Sequence, residues 1–327
     1  MSGNTTSNST NMIHQQLYSK MLLTTFQDEP FPVALWRDVT DFQHGDTLNI
    51  PTIGQRVVQD VEEDVDIQFT PIDNGRVNLT ITDRKGIGTY VTDDLKEDGL
   101  IDVPMYLARN AVEEARAINK DFESRFFEVC NTSQTAADPN NINSFARRKL
   151  ATGTNSTMSE DDLIEMGLAF DKAEVTQGGR VAIVSPVVAR TLEKLVTRVK
   201  SDVASLAANP LNEMLRQNGF AKNHRFVTDL YGWNIWTSNR LDTLAGGASV
   251  DGTNNAPAEG ADLNVFMCVA DDNCKPIMAA WRRQPKSEFF RNTNKARDEF
   301  STRWRYGLGA QRVDSLGIIA TSATATE

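Results

Sequence analysis

Apolar residues change their spacing several times along the chain, and each change marks a boundary. Over residues 13–26, Ile13, Leu17, Leu22 and Phe26 recur near the helical period, which predicts a short amphipathic helix stopped by Pro30 and Pro32. From Gly45 the period falls to two. Leu48 and Ile50 in GDTLNIPTIG share a face, as do Ile67 and Phe69 in DIQFTPI, and Val77, Leu79, Ile81, Ile87 and Val91 in RVNLTITDRKGIGTYVTDD. Asp73-Asn74-Gly75 between the second and third runs predicts a hairpin turn. The acidic run Asp60–Asp66 ahead of it is too charged for a core. Strands so poor in apolar residues are not stable alone in water, so residues 45–95 read as an excursion that lies on something else.

A long helical pattern follows. Asp102 is its expected N-cap and Pro104 falls in its first turn. Leu107, Ala111, Ala115, Ile118, Phe122, Phe126 and Val129 make one apolar stripe. At 1.5 Å per residue, Asp102 to Val129 is a rod of about 42 Å. Residues 131–158 are polar and carry a basic FARRKL patch, which predicts a surface loop. Ser159, with Asp162 three residues on, opens a further helix in near-capping-box spacing. GGRVAIVSP reads as a buried strand before a helix through VVARTLEKLVTRV, and RFVTDLYGWNIWTSNRL as a strand pair. Residues 245–262 form a flexible loop, and VFMCVA, PIMAAWR and EFSTRWRYGLGAQRVDSLGIIATS close the chain as strands. The Ser/Thr/Asn-rich residues 1–12 read as a mobile tail, and no repeat of fixed period is present.

Composition narrows the class. With 327 residues, 40% hydrophobic and 24% charged, the chain can bury a substantial core in two or three compact units, or in one larger unit with excursions. Mean hydropathy is -0.40. No stretch approaches the roughly 18 consecutive apolar residues of a membrane helix. The N-terminus has neither the basic nor the apolar region of a secretory signal, so a soluble, non-exported protein without a membrane partner is expected. A net charge of -10 argues against specific nucleic-acid recognition, whose affinity comes from neutralising phosphates. The distribution of charge is more informative than its sum. Residues 1–100 carry 7 Lys/Arg and 16 Asp/Glu, whereas residues 275–327 carry 10 Lys/Arg and 5 Asp/Glu. Ends of opposite sign can meet within a subunit or between neighbours, where they would steer assembly.

Candidate chemistry is sparse. RKGIGT offers only Gly86 and Gly88, within a strand pattern, and reads as a β-bulge or bend rather than a phosphate loop. His14, His44 and His224 lack metal-ligand spacing. Cys130, Cys268 and Cys274 are too few and too irregular for a disulfide scaffold or a metal knuckle, and read as buried, reduced thiols. There is no G-x-S-x-G nucleophile elbow. The carboxylates Asp60–Asp66, Asp93 with Asp94, and Asp161 with Asp162 fall in exposed turns or helix caps, although a glycosidase-like pair is not excluded by spacing. Trp233 and Trp236 alternate on a strand and read as core and edge packing rather than a stacking platform. Neither a catalytic site, a cofactor nor a metal is expected.

In element order the chain resembles a tailed-phage major capsid protein of the Hong Kong 97 type over about residues 14–320. GDTLNIPTIG with FTPIDNGRVNLTITDRKGIGTYVTDDL is similar to the family's extended loop and its return strand. Asp102 to Val129 is similar to its spine helix, GGRVAIVSP and DLYGWNIWTSNRL to strands of its axial domain, and FSTRWRYGLGAQRVDSLGII to its closing strand. The resemblance implies an α+β fold divided into an N-terminal arm (1–44), an extended β-hairpin loop (45–98), a peripheral domain with spine helix and polar loop (99–178), an axial domain (179–275) and C-terminal strands returning to the peripheral domain (276–327). It implies self-assembly through hexamers and pentamers into an icosahedral head around double-stranded DNA, contacted non-specifically. A portal and possible decoration protein would be further partners, and the virion, assembled in the host cytoplasm, would be the location. The family brings no catalytic motif. Where many members carry a long N-terminal segment, only about a dozen low-complexity residues precede the first helix here, which suggests a separate scaffolding protein. Lys85 lies near the base of the loop, so no cross-link to a neighbour is expected.

Physically, the acidic excursion (Asp60, Glu62, Glu63, Asp64, Asp66) would dock on a neighbour's basic C-terminal segment (Arg282, Arg283, Arg291, Arg303, Arg305). An acidic subunit also avoids gripping DNA that must later leave. Three alternatives stay open: an encapsulin-like nanocompartment shell of similar fold, a soluble carboxylate-dependent hydrolase, and a phage decoration or tail-tube protein.

Overall fold

The computed structural model describes residues 35–40, 45–54, 58–60, 63, 66, 69, 71–72, 74–98, 103–134, 147–192 and 226–324. The predicted helix at 13–26, the cap Asp102, and Ile67, Glu62 and Asp64 lie outside them.

Two sheets and one long helix position everything else. The first sheet has the order β1-β11-β12-β4, from β1 (Arg37–Asp38), β4 (Asp83–Thr92), β11 (Ile277–Asn292) and β12 (Arg297–Ala310). The second runs β5-β13-β10-β6-β8-β7, from β5 (Arg148–Leu150), β6 (Arg180–Val184), β7 (Phe226–Leu230), β8 (Trp233–Thr237), β10 (Ala261–Cys268) and β13 (Leu316–Ser322). In this sheet β9 (Thr243–Leu244) pairs with the start of β10. A separate hairpin joins β2 (Thr47–Ile53) to β3 (Asn74–Thr80).

The second sheet is covered on both faces, which is why β6 and β10 read as apolar runs. Helix α2 (Val103–Ser133) lays Phe126, Phe127, Val129 and Cys130 against Val181, Ile183, Val265, Met267 and Leu316 on one face. Helix α3 (Glu160–Lys172) and the helical residues 186–192 cover the other, where Met166, Phe170 and Val188 meet Ala182, Trp233, Phe266 and Ile319. Trp233 is fully buried, edge-on to Phe170 and Phe266 at 5.1 and 5.0 Å, and donates its indole N–H to Leu163 O at 3.3 Å. Asn264 is an amide within this core. Its NH2 reaches Ile319 O at 3.0 Å and Thr321 Oγ1 at 2.9 Å, and its carbonyl accepts from Ser185 N, so its burial leaves no orphan.

The other part of α2 crosses to the first sheet, where Ile118 and Phe122 pack on Ala279, Trp304 and Tyr306. Phe122 is stacked on Trp281 at 5.2 Å. The helix has 31 residues, about 46 Å, and runs past Val129 to Ser133. The opposite face of this sheet receives the base of the β2–β3 hairpin: Leu79 and Ile81 are buried against Met278 and Ala280. Two glycines permit that approach. A Cβ on Gly307 would lie 2.7 Å from Thr80 O and 2.9 Å from Ile81 Cα, and one on Gly309 would lie 2.9 Å from Leu79 Cδ1. The string Tyr306-Gly307-Leu308-Gly309 thus keeps one side of β12 bulky, under α2, and the other bare.

Four expectations need correction. Asn74 and Gly75 are not the centre of a tight turn: they already belong to β3 and pair with Ile53 and Thr52, and Phe69 lies outside any strand. Gly86 and Gly88 are no bulge, since β4 pairs with β12 in unbroken register from Asp83 to Thr92. The irregularities fall on β11, between Trp281, Arg283 and Lys286. The closing string is two strands in different sheets, β12 in the first and β13 beside β10 in the second, so the segment 276–327 does not return to one place. Likewise β5 and α3, grouped by sequence with the spine helix, belong to the second sheet and its covering layer, because their apolar residues complete that core.

Candidate assembly surfaces

The acidic run lies in the link between β2 and β3. Asp60, Glu63 and Asp66 are exposed there, and so are two large apolar side chains, Val58 at 92% and Phe69 at 97%. An aromatic ring left almost wholly in water by its own subunit has the character of a contact for another molecule.

The basic residues do not form one cluster. Arg291, at the far end of β11, is held within its own subunit by Asp93 and by Asp298 at 3.0 Å, while Lys96 completes the group. The Arg291 guanidinium hydrogen-bonded to Asp93 is the largest influence on that carboxyl and holds its pKa down at about 2. Arg282 is half-buried at the β11 irregularity. The remaining three, however, are brought together with two residues whose importance sequence spacing did not reveal.

Along β12, Trp304 and Tyr306 point under α2, so Arg303 and Arg305 point to the opposite face. Arg305 stands directly between Arg84 of β4 and Arg283 of β11, and Arg303 between Gly86 and Lys286. Five cations thus occupy two adjacent rows of three strands. Arg84, Arg283, Lys286 and Arg303 are exposed, and Arg305 is half-buried, donating to Ile81 O at 3.1 Å. Glu288 answers Arg283 at 3.1 Å and Lys286 at 3.7 Å. Like charges directly opposite one another cost on the order of 0.2–1 kcal/mol per pair, so this ladder is a local liability that an anionic partner would relieve. Arg84 and Lys286 escaped notice because cross-strand neighbours depend on register, between β4 and β12 far apart in the chain and across the irregular β11–β12 pairing.

On the α2 side of the same sheet the carboxylates are answered within the subunit. Glu114 accepts from Thr89 at 3.2 Å, Asn110 at 2.7 Å and Thr302 at 3.1 Å. Asp121 accepts from Lys85 at 2.9 Å and from the Tyr306 hydroxyl at 3.0 Å, and Arg125 reaches Asp83 at 3.2 Å. Burial first, then the Asp121 charge, pushes the Tyr306 hydroxyl pKa upward, so Tyr306 stays a donor. Lys85 is therefore engaged with helix α2 of its own subunit. No group of three metal-ligating side chains occurs among the described residues, and no helix among them is long and apolar enough to cross a membrane.

A family model described as phage capsid protein matches residues 77–321. No curated protein matches the sequence. Among solved structures, the capsid of the cyanophage P-SCSP1u is similar with a TM-score of 0.66 at 15% identity, covering 95% of this chain and 93% of that one. The mature capsid of bacteriophage PhiM1 gives 0.67 at 12% identity, with 98% and 95% covered. Mycobacterium phage Che8 gives 0.62 at 16%, with 95% and 98% covered. At these identities the likeness is one of fold.

Proposed function

The chain belongs to the phage capsid protein family, and on that premise we propose that it is the major shell subunit of a tailed phage. In this reading it assembles through hexamers and pentamers into an icosahedral head that encloses double-stranded DNA. The Hong Kong 97-like division then gives each part a task. The second sheet and its helices form the axial body, the first sheet with the spine helix forms the peripheral domain, and the β2–β3 excursion is the extended loop. A structural rather than enzymatic role accords with the family.

The observation that supports the reading is the presence on one subunit of two surfaces of opposite sign, each only partly answered from within. One is the basic ladder of Arg84, Arg283, Lys286, Arg303 and Arg305; the other is the exposed acidic and apolar segment with Val58, Asp60, Glu63, Asp66 and Phe69. A neighbour's excursion lying over the ladder would neutralise it and cover the Phe69 ring, and repetition around a closed ring would satisfy every copy alike. Arg291 and Arg282 lie outside this surface and serve the subunit's own fold. The shell resides in the virion, after assembly in the host cytoplasm, with a separate scaffolding protein, a portal and possibly a decoration protein as partners. Packaged DNA is contacted without sequence preference.

Reversing Glu62, Glu63 and Asp64 to Lys, or Arg84 and Arg303 to Glu, is expected to abolish closed particles while leaving circular dichroism of the subunit unchanged. Combining the two sets is expected to restore part of the yield, read by light scattering and negative-stain imaging. Normal particle yield from either single set would refute the docking. Native particles that hold cargo enzymes and no DNA would instead make the shell a nanocompartment.

A further inference from the structure

We propose that Cys268 and Cys274 form a covalent modification site: in contact with a low-molecular-weight disulfide the pair closes into an intrasubunit disulfide that staples the passage from β10 to β11. Cys268 is the last residue of β10 and is fully buried; Cys274 is half-buried in the link that leads into β11. The link turns back on itself through Cys274 N–H and Lys275 N–H, both donating to Asp271 O, at 2.9 and 3.2 Å. This brings both sulfurs to one residue. Cys268 Sγ lies 3.6 Å from Thr176 O, and Cys274 Sγ lies 3.9 Å from Thr176 Oγ1, so the two thiols converge on the same residue.

The backbone around the pair is already tied down. Val269 N–H donates to Gly179 O at 2.9 Å, Gln311 N–H to Pro276 O at 2.7 Å, and Ser315 Oγ to Cys274 O. With the backbone so held, the bond has to close by rotation of the two side chains. Among the described residues no third metal-ligating side chain joins the pair. Cys130 is the internal contrast: it is fully buried in an apolar cluster without a thiol neighbour, and burial pushes its pKa strongly up.

The chemistry is a two-step exchange. The Cys274 thiolate attacks one sulfur of the small disulfide, whose S–S bond breaks and releases one thiolate. Cys268, as thiolate, then attacks the Cys274 sulfur of the mixed disulfide and expels the second. The two protein thiols give up two protons and two electrons, and the small disulfide takes both electrons and leaves as two thiols. Burial raises the Cys268 pKa, and the nearby Arg180 guanidinium acts against it. The second step is thus slow until the partner sulfur is delivered beside it.

Oxidised glutathione added to the native protein tests this. Denatured thiol titration is expected to fall from three to one per chain, and to stay at three without oxidant. Cleavage before Asp271 and Asp272 separates the two cysteines, so the expected product is a pair of fragments held together until reduction. Thermal unfolding is expected to shift upward on oxidation in the parent and not in Cys274→Ser, which retains one thiol of the pair. An unchanged count of three, a stable glutathione adduct on Cys274 without the linked fragments, or a disulfide between chains on a non-reducing gel would each overturn the proposal. Particle formation enters none of these readouts, so the result stands apart from the shell-subunit reading.

Discussion

Replacing Gly307 by alanine adds a single methyl group where the subunit has no room for one. The new Cβ would sit 2.7 Å from Thr80 O and 2.9 Å from Ile81 Cα. Both are backbone atoms, so rotamer changes cannot relieve the contact, and the hairpin base must withdraw by about 0.5–1 Å. Withdrawal loosens Leu79 and Ile81 from Met278 and Ala280, all fully or almost fully buried. Overpacking of this kind costs about 1–3 kcal/mol. The ceiling is complete release of the base, which exposes Leu79 and Ile81 at about 1.5–3 kcal/mol each. Gly88→Ala is the matched control, because its nearest neighbour, Phe300 O, would be at an ordinary 3.9 Å. Urea unfolding of unassembled subunit should show a lower midpoint for Gly307→Ala and little change for Gly88→Ala. Amide exchange over residues 74–82 should accelerate only in the former, and particle yield should fall with it. Equal midpoints and equal exchange in the two variants would refute the close-approach account of the hairpin's anchorage.

Other consequences follow from single interactions. Asp162 is fully buried, closes the α3 capping box with Ser159, and accepts from Thr152 N and from Lys149 Nζ at 2.8 Å. Burial, the largest single influence, opposes its ionisation, but the hydrogen bonds from Lys149 and the backbone together leave its pKa lowered. Asp162→Ala loses a cap and orphans its donors, for a cost of about 2–4 kcal/mol readable by denaturant titration; a loss below measurement error would contradict that role. Asp93 has its folded pKa depressed to about 2 from 3.8, so its contribution is fully present above the unfolded value and disappears as pH falls through about 2. Amide protection at the far end of β11 and β12, taken relative to the intrinsic exchange rate at each pH, should therefore fall between pH 5 and pH 2 in the parent, while Asp93→Asn should show the lower protection already at pH 5. Phe126→Ala, in the core shared by α2 and the second sheet, should cost about 3–5 kcal/mol by the same titration, and a cost under 1 would show that α2 is not a structural spine.

Much of the architecture was visible in residue spacing. The long apolar stripe through Ile118, Phe122 and Phe126 announced the spine helix, because a helix face recurs at a period that local sequence displays. The Ser159 and Asp162 spacing announced the α3 capping box for the same reason: its partners are three residues apart. The charge asymmetry between the chain's ends and the acidic excursion were equally plain, and so was the absence of a familiar catalytic motif.

What escaped was every feature made by strand register. Asp73-Asn74-Gly75 carries the chemistry of a tight turn, yet Asn74 and Gly75 pair across the sheet with Ile53 and Thr52 because that register buries Leu79 beneath β12. The glycines of RKGIGT looked like a bulge, whereas the irregularity lies on β11, two strands away. Arg303 and Arg305 were recognisable as basic, but only the alignment of β4, β12 and β11 adds Arg84 and Lys286 to them and withdraws Arg291 into its own ion pairs. The sequence by itself determined the long helix, the α3 cap and where charge would be concentrated, because those depend on near neighbours. Tertiary structure alone decided which charges stand side by side and which glycines must remain glycine, because these depend on how separate strands align and pack.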